Sequence, residues 1–446
     1  MCNSEPIIQV GILTSERIEF ILNGSFSTPA GRVFSGNQQV VVRDGKVGFD
    51  NQLFDEIIFE PTTNDASFDL IDVVIGIGFH WERKENQRFR GAIKLIADSG
   101  QLTAINRINV EDYLTSVISS EMSATASDEL LKAHAVISRS WLLKPILEPG
   151  TKNQESRSTT EQKTINYKLS TINYRKWYER DAHTHFDVCA DDHCQRYQGI
   201  TRTSTAAVEK AIEATRGEVL MYDGQICDAR FSKSCGGASE TFENCWAEEH
   251  HPYLSKVIDN PSAPEGFELD LTVEANAEKW IRNNPEAFCN TYNKAILAQV
   301  LNNYDQETTD FYRWKIEYSQ AELAEIITRR SGINFGEIVD LIPVKRGESG
   351  RIIELKIVGT KQTVVVGKEL EIRKWLSNSH LYSSAFVVDK SEIINDIPQR
   401  FTFTGAGWGH GVGLCQIGAA VMGEKGYRYD EILLHYFKGA ELKRIY

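Results

Sequence analysis

The sequence predicts an α+β fold: antiparallel β-rich regions on either side of a central helical segment. Three observations predict it. Residues 6–110 are short apolar stretches broken by Gly, Asn, Asp and Ser, with period-2 alternation. At Asn109 the apolar spacing changes from that of a strand to that of a helix. Strand patterns return after residue 313 and run almost to a glycine-rich tail.

Taken in order, IIQVGIL, RIEFIL, QVVVRDGKV, DVVIGIGFHW and GAIKLIA read as strands with turn residues between them. NVEDYLTSVISSEM then reads as a helix, with Asn109 placed to cap it and Glu111 and Asp112 in the first turn. A longer helix, SDELLKAHAVISRSWLLKPIL, follows from the candidate cap Ser127. Residues 148–182 are polar and rich in Ser, Thr and Asn, as in a surface excursion. EANAEKWIRNN and NKAILAQVLNNY are helical pieces. Strands RWKIEYS, IVDLIPVKR, IIELKIVG and QTVVVG come next, with the helix SQAELAEIITRRS among them, and YDEILLHYF closes the chain as a helix. The resulting division is a β-rich region 1–108 and a central segment 109–258 carrying a polar insertion at 144–182. A helical insertion 259–312 and a β-rich region 313–446 complete it.

The 446 residues suffice for two or three domains with a buried core. A net charge of -13 argues against nucleic acid as a partner, because phosphate neutralisation needs a basic face. No apolar run reaches the roughly 18–20 residues of a membrane span. Cys2, in MCNSEP, is a candidate first residue of a mature lipoprotein and so a possible site of lipid anchoring. Cys235, Cys245 and Cys289 offer disulfide partners in an oxidising compartment, with connectivity open.

Three constellations carry chemistry. HTHFDVCADDHC puts His183, His185, Cys189, His193 and Cys194 within twelve residues, a mixed sulfur and nitrogen set that suits a closed structural zinc site. The expected ligands are His183, Cys189, His193 and Cys194, with His185 the alternative to His183. GAGWGHGVGLCQIGAA surrounds Trp408 and His410 with glycines that allow tight turns and close approach. It lacks the GK[ST] ending of a phosphate loop. Glu121 lies at the end of its helix among Val117, Ile118 and Met122, a setting that suits a general acid. In FSKSCGGASETFENCW, the Gly236–Gly237 pair marks a turn and Ser234 is a candidate ligand contact. Neither a GxSxG elbow nor an HExxH helix is present.

Read together, five stretches resemble the sporulation stage II protein D family, which includes the amidase enhancers of bacterial cell walls. They are VEDYLTSVISSEMSATASDELLKAHAVISRSWLL, HTHFDVCADDHCQRYQG, FSKSCGGASETFENCW, SGRIIELKIVG and GAGWGHGVGLCQIGAAVMGEKGYRYDEILLHYFKG. The resemblance implies a lytic transglycosylase acting on peptidoglycan glycan strands, with Glu121 as its acid–base residue. It also implies bound zinc at the cysteine–histidine cluster and a glycan groove bordered by the glycine-rich motif. Lys132, His134 and Arg139 are candidates to tune Glu121 or hold sugar substituents, and His410 and Gln416 to meet sugar hydroxyls. An envelope location follows from that function, as does a partnership with a cell-wall amidase. The rival expectation is a non-enzymatic wall-binding module that activates such an amidase. The chain departs from the family pattern in three places. It has His134 in AHA where the family reads AQA, Cys235 in SCGG where it often reads SNGG, and Cys415 where a serine usually precedes the glutamine.

Overall fold

The computed structural model describes residues 4–76, 83–123, 126–148, 173–176, 183–191, 193–201, 204–300 and 308–446, with backbone alone at 173–176. Cys2 and most of the 144–182 excursion lie outside the described residues. The chain is α+β and divides into two units. One comprises 1–149, 182–219 and 442–446, and the other 150–181 and 220–441. No helix among the described residues is long and apolar enough to cross a membrane.

In the first unit, the expected strands form one large sheet. Ile7–Ser15 pairs antiparallel with Gln101–Asn109, which continues to Ala92–Asp98 and then Glu56–Pro61. Arg17–Ser27 carries the sheet on to Val33–Arg43 and Lys46–Phe49, and also pairs with Ser67–Ile75. The turn at Asp44–Gly45 puts both central residues at positive φ (50° and 73°), the hairpin geometry that matches strand twist. Alternate residues point inward, so Phe20, Phe59 and Phe68 are buried, and Phe20 meets Phe59 edge-on at 5.4 Å.

Three helices follow: α1 (Val110–Glu121), α2 (Asp128–Leu147) and α3 (Ala206–Ala214). Ser127 caps α2, accepting from Leu130 N, as its sequence predicts. Asn109 occupies the cap position of α1, but its side chain makes no capping bond. Glu5 does that work from a distance, its carboxylate accepting from Glu111 N at 2.9 Å.

The second unit holds the later strands. Arg313–Ser319, Ile397–Ala406 and Phe386–Ile394 form one antiparallel sheet, and Ile338–Arg346, Ile352–Gly359 and Thr363–Gly367 belong to another. Trp314, Leu323, Phe335, Trp375, Phe401 and Phe403 fill the core between these strands and the helix Gln320–Ser331. That helix opens with a reciprocal Ser319/Glu322 capping box and ends at left-handed Gly332. The segment expected as a helical insertion contributes to the interior of this unit. Trp280 is 1% exposed and donates its indole N–H to Gly236 O at 3.2 Å.

Candidate functional site

The cysteine–histidine segment is fastened to the first unit through the sheet edge. Val188–Cys189 pairs in parallel with Val10–Gly11. Asp187 secures the join from both its groups: its carboxylate accepts from Gln9 N at 2.8 Å and its amide donates to Gln9 O at 3.0 Å. The Phe186 ring packs against Gly11, where a Cβ would lie 2.6 Å from it.

Folded this way, His183, Cys189, His193 and Cys194 bring their donor atoms within 4.8 Å of one another. The Cys194 sulfur lies 3.3 Å from His183 Nε2 and 3.4 Å from His193 Nδ1. Cys194, helped by the two imidazoles, holds the Cys189 thiol down to about 2. Two sulfurs and two imidazole nitrogens at this spacing could hold a metal ion. His185 lies outside the cluster, half exposed, with Nε2 3.5 Å from the Asp98 carboxylate.

The four residues after the cluster run along α1. Gln195 accepts from the Tyr113 hydroxyl at 3.5 Å, and Gln198 N donates to Ser116 Oγ at 3.1 Å. Between them, Arg196 N donates to Glu121 Oε1 at 3.4 Å. Tyr197 stacks on Tyr113 at 5.0 Å and continues to Phe89 at 5.7 Å, joining helix to sheet. Glu121 itself is half-buried at the last position of α1, with buried Met122 beyond it. A chain segment set by the cysteine–histidine cluster therefore contacts the carboxylate directly.

The neighbouring candidates on α2 have other positions. Lys132 is half-buried and pairs with Glu129 at 2.5 Å. His134 and Arg139 are fully buried. Arg139 grips Glu111 with two bonds, at 3.0 and 2.6 Å, and donates to Glu218 O at 2.9 Å. His134 Nδ1 lies 3.4 Å from Ser138 Oγ. Neither residue presents its side chain to solvent.

In the second unit the structure brings Ser234, His410 and the glycine-rich segment together around a residue that the sequence motifs did not single out, Arg351. Ser234 and Trp408 bond reciprocally through their main chains at 3.1 and 2.8 Å. Arg351, fully buried, donates to Gly409 O at 3.2 and 3.1 Å, and to Cys235 O at 3.1 Å. A Cβ at Gly411 would come within 2.4 Å of the Arg351 guanidinium carbon, and one at Gly407 within 2.8 Å of Ser234 O. These glycines thus admit the protein's own arginine and strand. Glu240, also buried, accepts from Ser349 Oγ at 2.6 Å and from the amides of Glu348 and Ser349.

His410 is half-buried; its Nδ1 accepts from Val412 N at 3.0 Å, and its ring meets Trp246 edge-on at 4.7 Å. Arg230 lies over the Trp246 ring, 4.5 Å from its centre, held by both oxygens of Asp228. Trp408 stacks on Tyr382 at 4.0 Å. Ser234 is fully buried, and its hydroxyl has no hydrogen-bond partner among the described residues. Gln416 is buried at the start of the helix Gln416–Glu424.

The cluster-bearing arm and the helix-terminal glutamate both fall within a stretch that matches a known family. Residues 98–222 match the model of the family described as Stage II sporulation protein. Over these residues the chain carries a domain similar to that of the stage II sporulation protein D and amidase-enhancer family. Residues 240–413 match a second model, a domain of unknown function (DUF8618). The chain is 25% identical over 354 residues to an uncharacterized protein of Brachyspira hyodysenteriae, covering 79% of this chain and 72% of that protein. It is 23% identical over 345 residues to the stage II sporulation protein D of Bacillus subtilis, covering 76% of each. With the amidase enhancer of Bacillus subtilis the identity is 24% over 262 residues, 56% of this chain and 34% of that protein. The chain thus spans about a third of the amidase enhancer's length.

Proposed function

We propose that the protein is a peptidoglycan lytic transglycosylase of the cell envelope, with Glu121 as its acid and base. The observation that carries this reading is the Arg196 N–H bond to Glu121 Oε1, which gives a half-buried carboxylate a fixed orientation at a helix end. Zn²⁺ held by His183, Cys189, His193 and Cys194 would be structural, since four protein donors leave no position for a reactive water. Its task is to set the 195–198 arm and, through it, Glu121.

In the reaction, protonated Glu121 gives its proton to the oxygen joining MurNAc C1 to GlcNAc as that C1–O bond breaks. Positive charge spreads over the MurNAc C1 and ring oxygen. The MurNAc C6 hydroxyl oxygen then bonds to C1 and its proton returns to Glu121, leaving a 1,6-anhydro-MurNAc end and restoring the acid. One carboxyl serves both steps, unlike the pair that flanks the bond in hydrolysing glycosidases. Acid–base help of this kind contributes roughly 10²–10⁴-fold, and orientation contributes more. His410, with its ring against Trp246, supplies a sugar-binding face on the second unit.

The test uses purified protein with glycan strands stripped of stem peptides, and separately with intact sacculi, and reads the products by mass spectrometry. Anhydro ends made by the native chain and absent with Glu121→Gln support the assignment. Undiminished cleavage by Glu121→Gln, or reducing MurNAc ends, overturns it. The relationship to a protein named amidase enhancer favours a second reading, a wall-binding module that stimulates an amidase. Strand binding without cleavage, together with stimulation of an added amidase, would select that reading.

A further inference from the structure

The second unit contains another cluster of metal-type donors, remote in sequence from the first. Cys235, Asp259, Cys289 and Cys415 are all buried, with donor atoms within 4.8 Å of one another. We propose that these four residues form a second, closed site for a divalent ion of the zinc class.

The geometry fits such an ion. Zinc–sulfur bonds of about 2.3 Å set tetrahedrally place two sulfurs about 3.8 Å apart. The Cys235 and Cys289 sulfurs are 3.8 Å apart, far beyond the roughly 2.05 Å of a disulfide bond. Each remaining donor is held by its surroundings. The Cys415 sulfur accepts from Cys235 N at 3.3 Å and from Gly418 N at 3.4 Å, in the first turn of the helix Gln416–Glu424. Asp259 accepts from the Tyr436 hydroxyl at 2.5 Å through one oxygen and from Cys289 N at 2.8 Å through the other. Such outer bonds orient ligands around a metal. Asp259 is fully buried, and no Lys, Arg or His forms an ion pair with it among the described residues, so a bound cation would supply the missing countercharge. Cys235 and Cys415 are also two of the three departures from the family pattern, and the fold brings both to Cys289.

The ion would join four stretches of chain: the SCGG turn, the bend at Asp259, the loop at Cys289 and the start of the Gln416–Glu424 helix. Mass spectrometry under native conditions and elemental analysis of the full chain, produced with zinc supplied, test the assignment. The expected content is two zinc ions per chain. Cys189→Ser/Cys194→Ser keeps one, and after exchange with Co²⁺ its visible spectrum shows tetrahedral cobalt bound to thiolate. Cys235→Asn/Cys415→Ser restores residues that the family pattern accommodates, so this variant is expected to fold, and it also keeps one. A single zinc in the native chain, lost from Cys189→Ser/Cys194→Ser and undiminished in Cys235→Asn/Cys415→Ser, overturns the proposal. A Cys235–Cys289 disulfide in the non-reduced peptide map overturns it equally.

Discussion

Arg139 on α2 and Glu111 on α1 form a two-pronged ion pair that is shut away from solvent, at 2.6 and 3.0 Å. Glu111 also accepts from Gly217 N at 3.1 Å and from the Tyr446 hydroxyl at 2.6 Å, so one carboxylate gathers four donors. Arg139→Leu leaves that carboxylate buried without its cation and should cost about 3–5 kcal/mol. Chemical denaturation measures this loss. Arg139→Leu/Glu111→Leu should recover part of it, because no uncompensated charge remains. A variant of unchanged stability but weaker glycan binding would instead give Arg139 a role at the substrate.

The metal assignment at the first cluster separates two neighbouring histidines. His183→Ala should lose the zinc of this site and expose Cys189 and Cys194 to a thiol reagent, because the nitrogen 3.3 Å from the Cys194 sulfur is gone. His185→Ala should leave metal content unchanged, removing only a surface contact to Asp98. Zinc kept by His183→Ala would show that His185 can replace its neighbour, and zinc lost from His185→Ala would make His185 itself a ligand. Chelation of the native protein should lower the melting temperature, since binding energy in a structural site is folding energy.

Gly411 has φ of 78° and faces Arg351. Gly411→Ala places a Cβ where the guanidinium lies and forces a left-handed alanine, at a cost of about 2–4 kcal/mol. Gly426→Ala shares only the backbone penalty, as nothing lies near its Cβ position. Comparing the two by thermal unfolding isolates the contribution of the arginine contact.

Acid should weaken the protein through His435. Burial, with a smaller push from Lys438, lowers this imidazole from 6.5 to about 4 in the folded chain. As pH falls below 6.5 the unfolded chain takes up the proton first, so stability should decline between 6.5 and 4 and level off below. Above 6.5 the His435 contribution is fully present. His435→Phe should flatten that part of the stability profile, measured as melting temperature against pH.

The α+β class was legible because hydrophobic period and turn chemistry are local properties. RDGKV was read as a strand and turn, and Asp44–Gly45 has the positive φ values the turn needs. The grouping of His183, Cys189, His193 and Cys194 was legible for the same reason, being compressed into twelve positions. The helix Gln416–Glu424 was missed because its Gly and Ala residues gave little periodic signal. Arg351, Glu240 and Asp259 escaped notice because each derives its importance from partners more than twenty residues away. The purpose of the glycines in 405–413 was obscured likewise. Sequence shows that a backbone can approach something closely, whereas only the fold shows that the thing approached includes Arg351.

Residues 442–446 rejoin the first unit, although more than two hundred intervening residues belong to the second. Tyr446 supplies the hydroxyl that meets Glu111, and Ile445 N bonds to Gly217 O at 2.9 Å. During synthesis, therefore, a nascent chain that has already made the α1–α2 helices still lacks one donor to their buried carboxylate. The unit that begins first cannot be completed first. Its final contacts come from residues that follow the whole of the other unit in the chain.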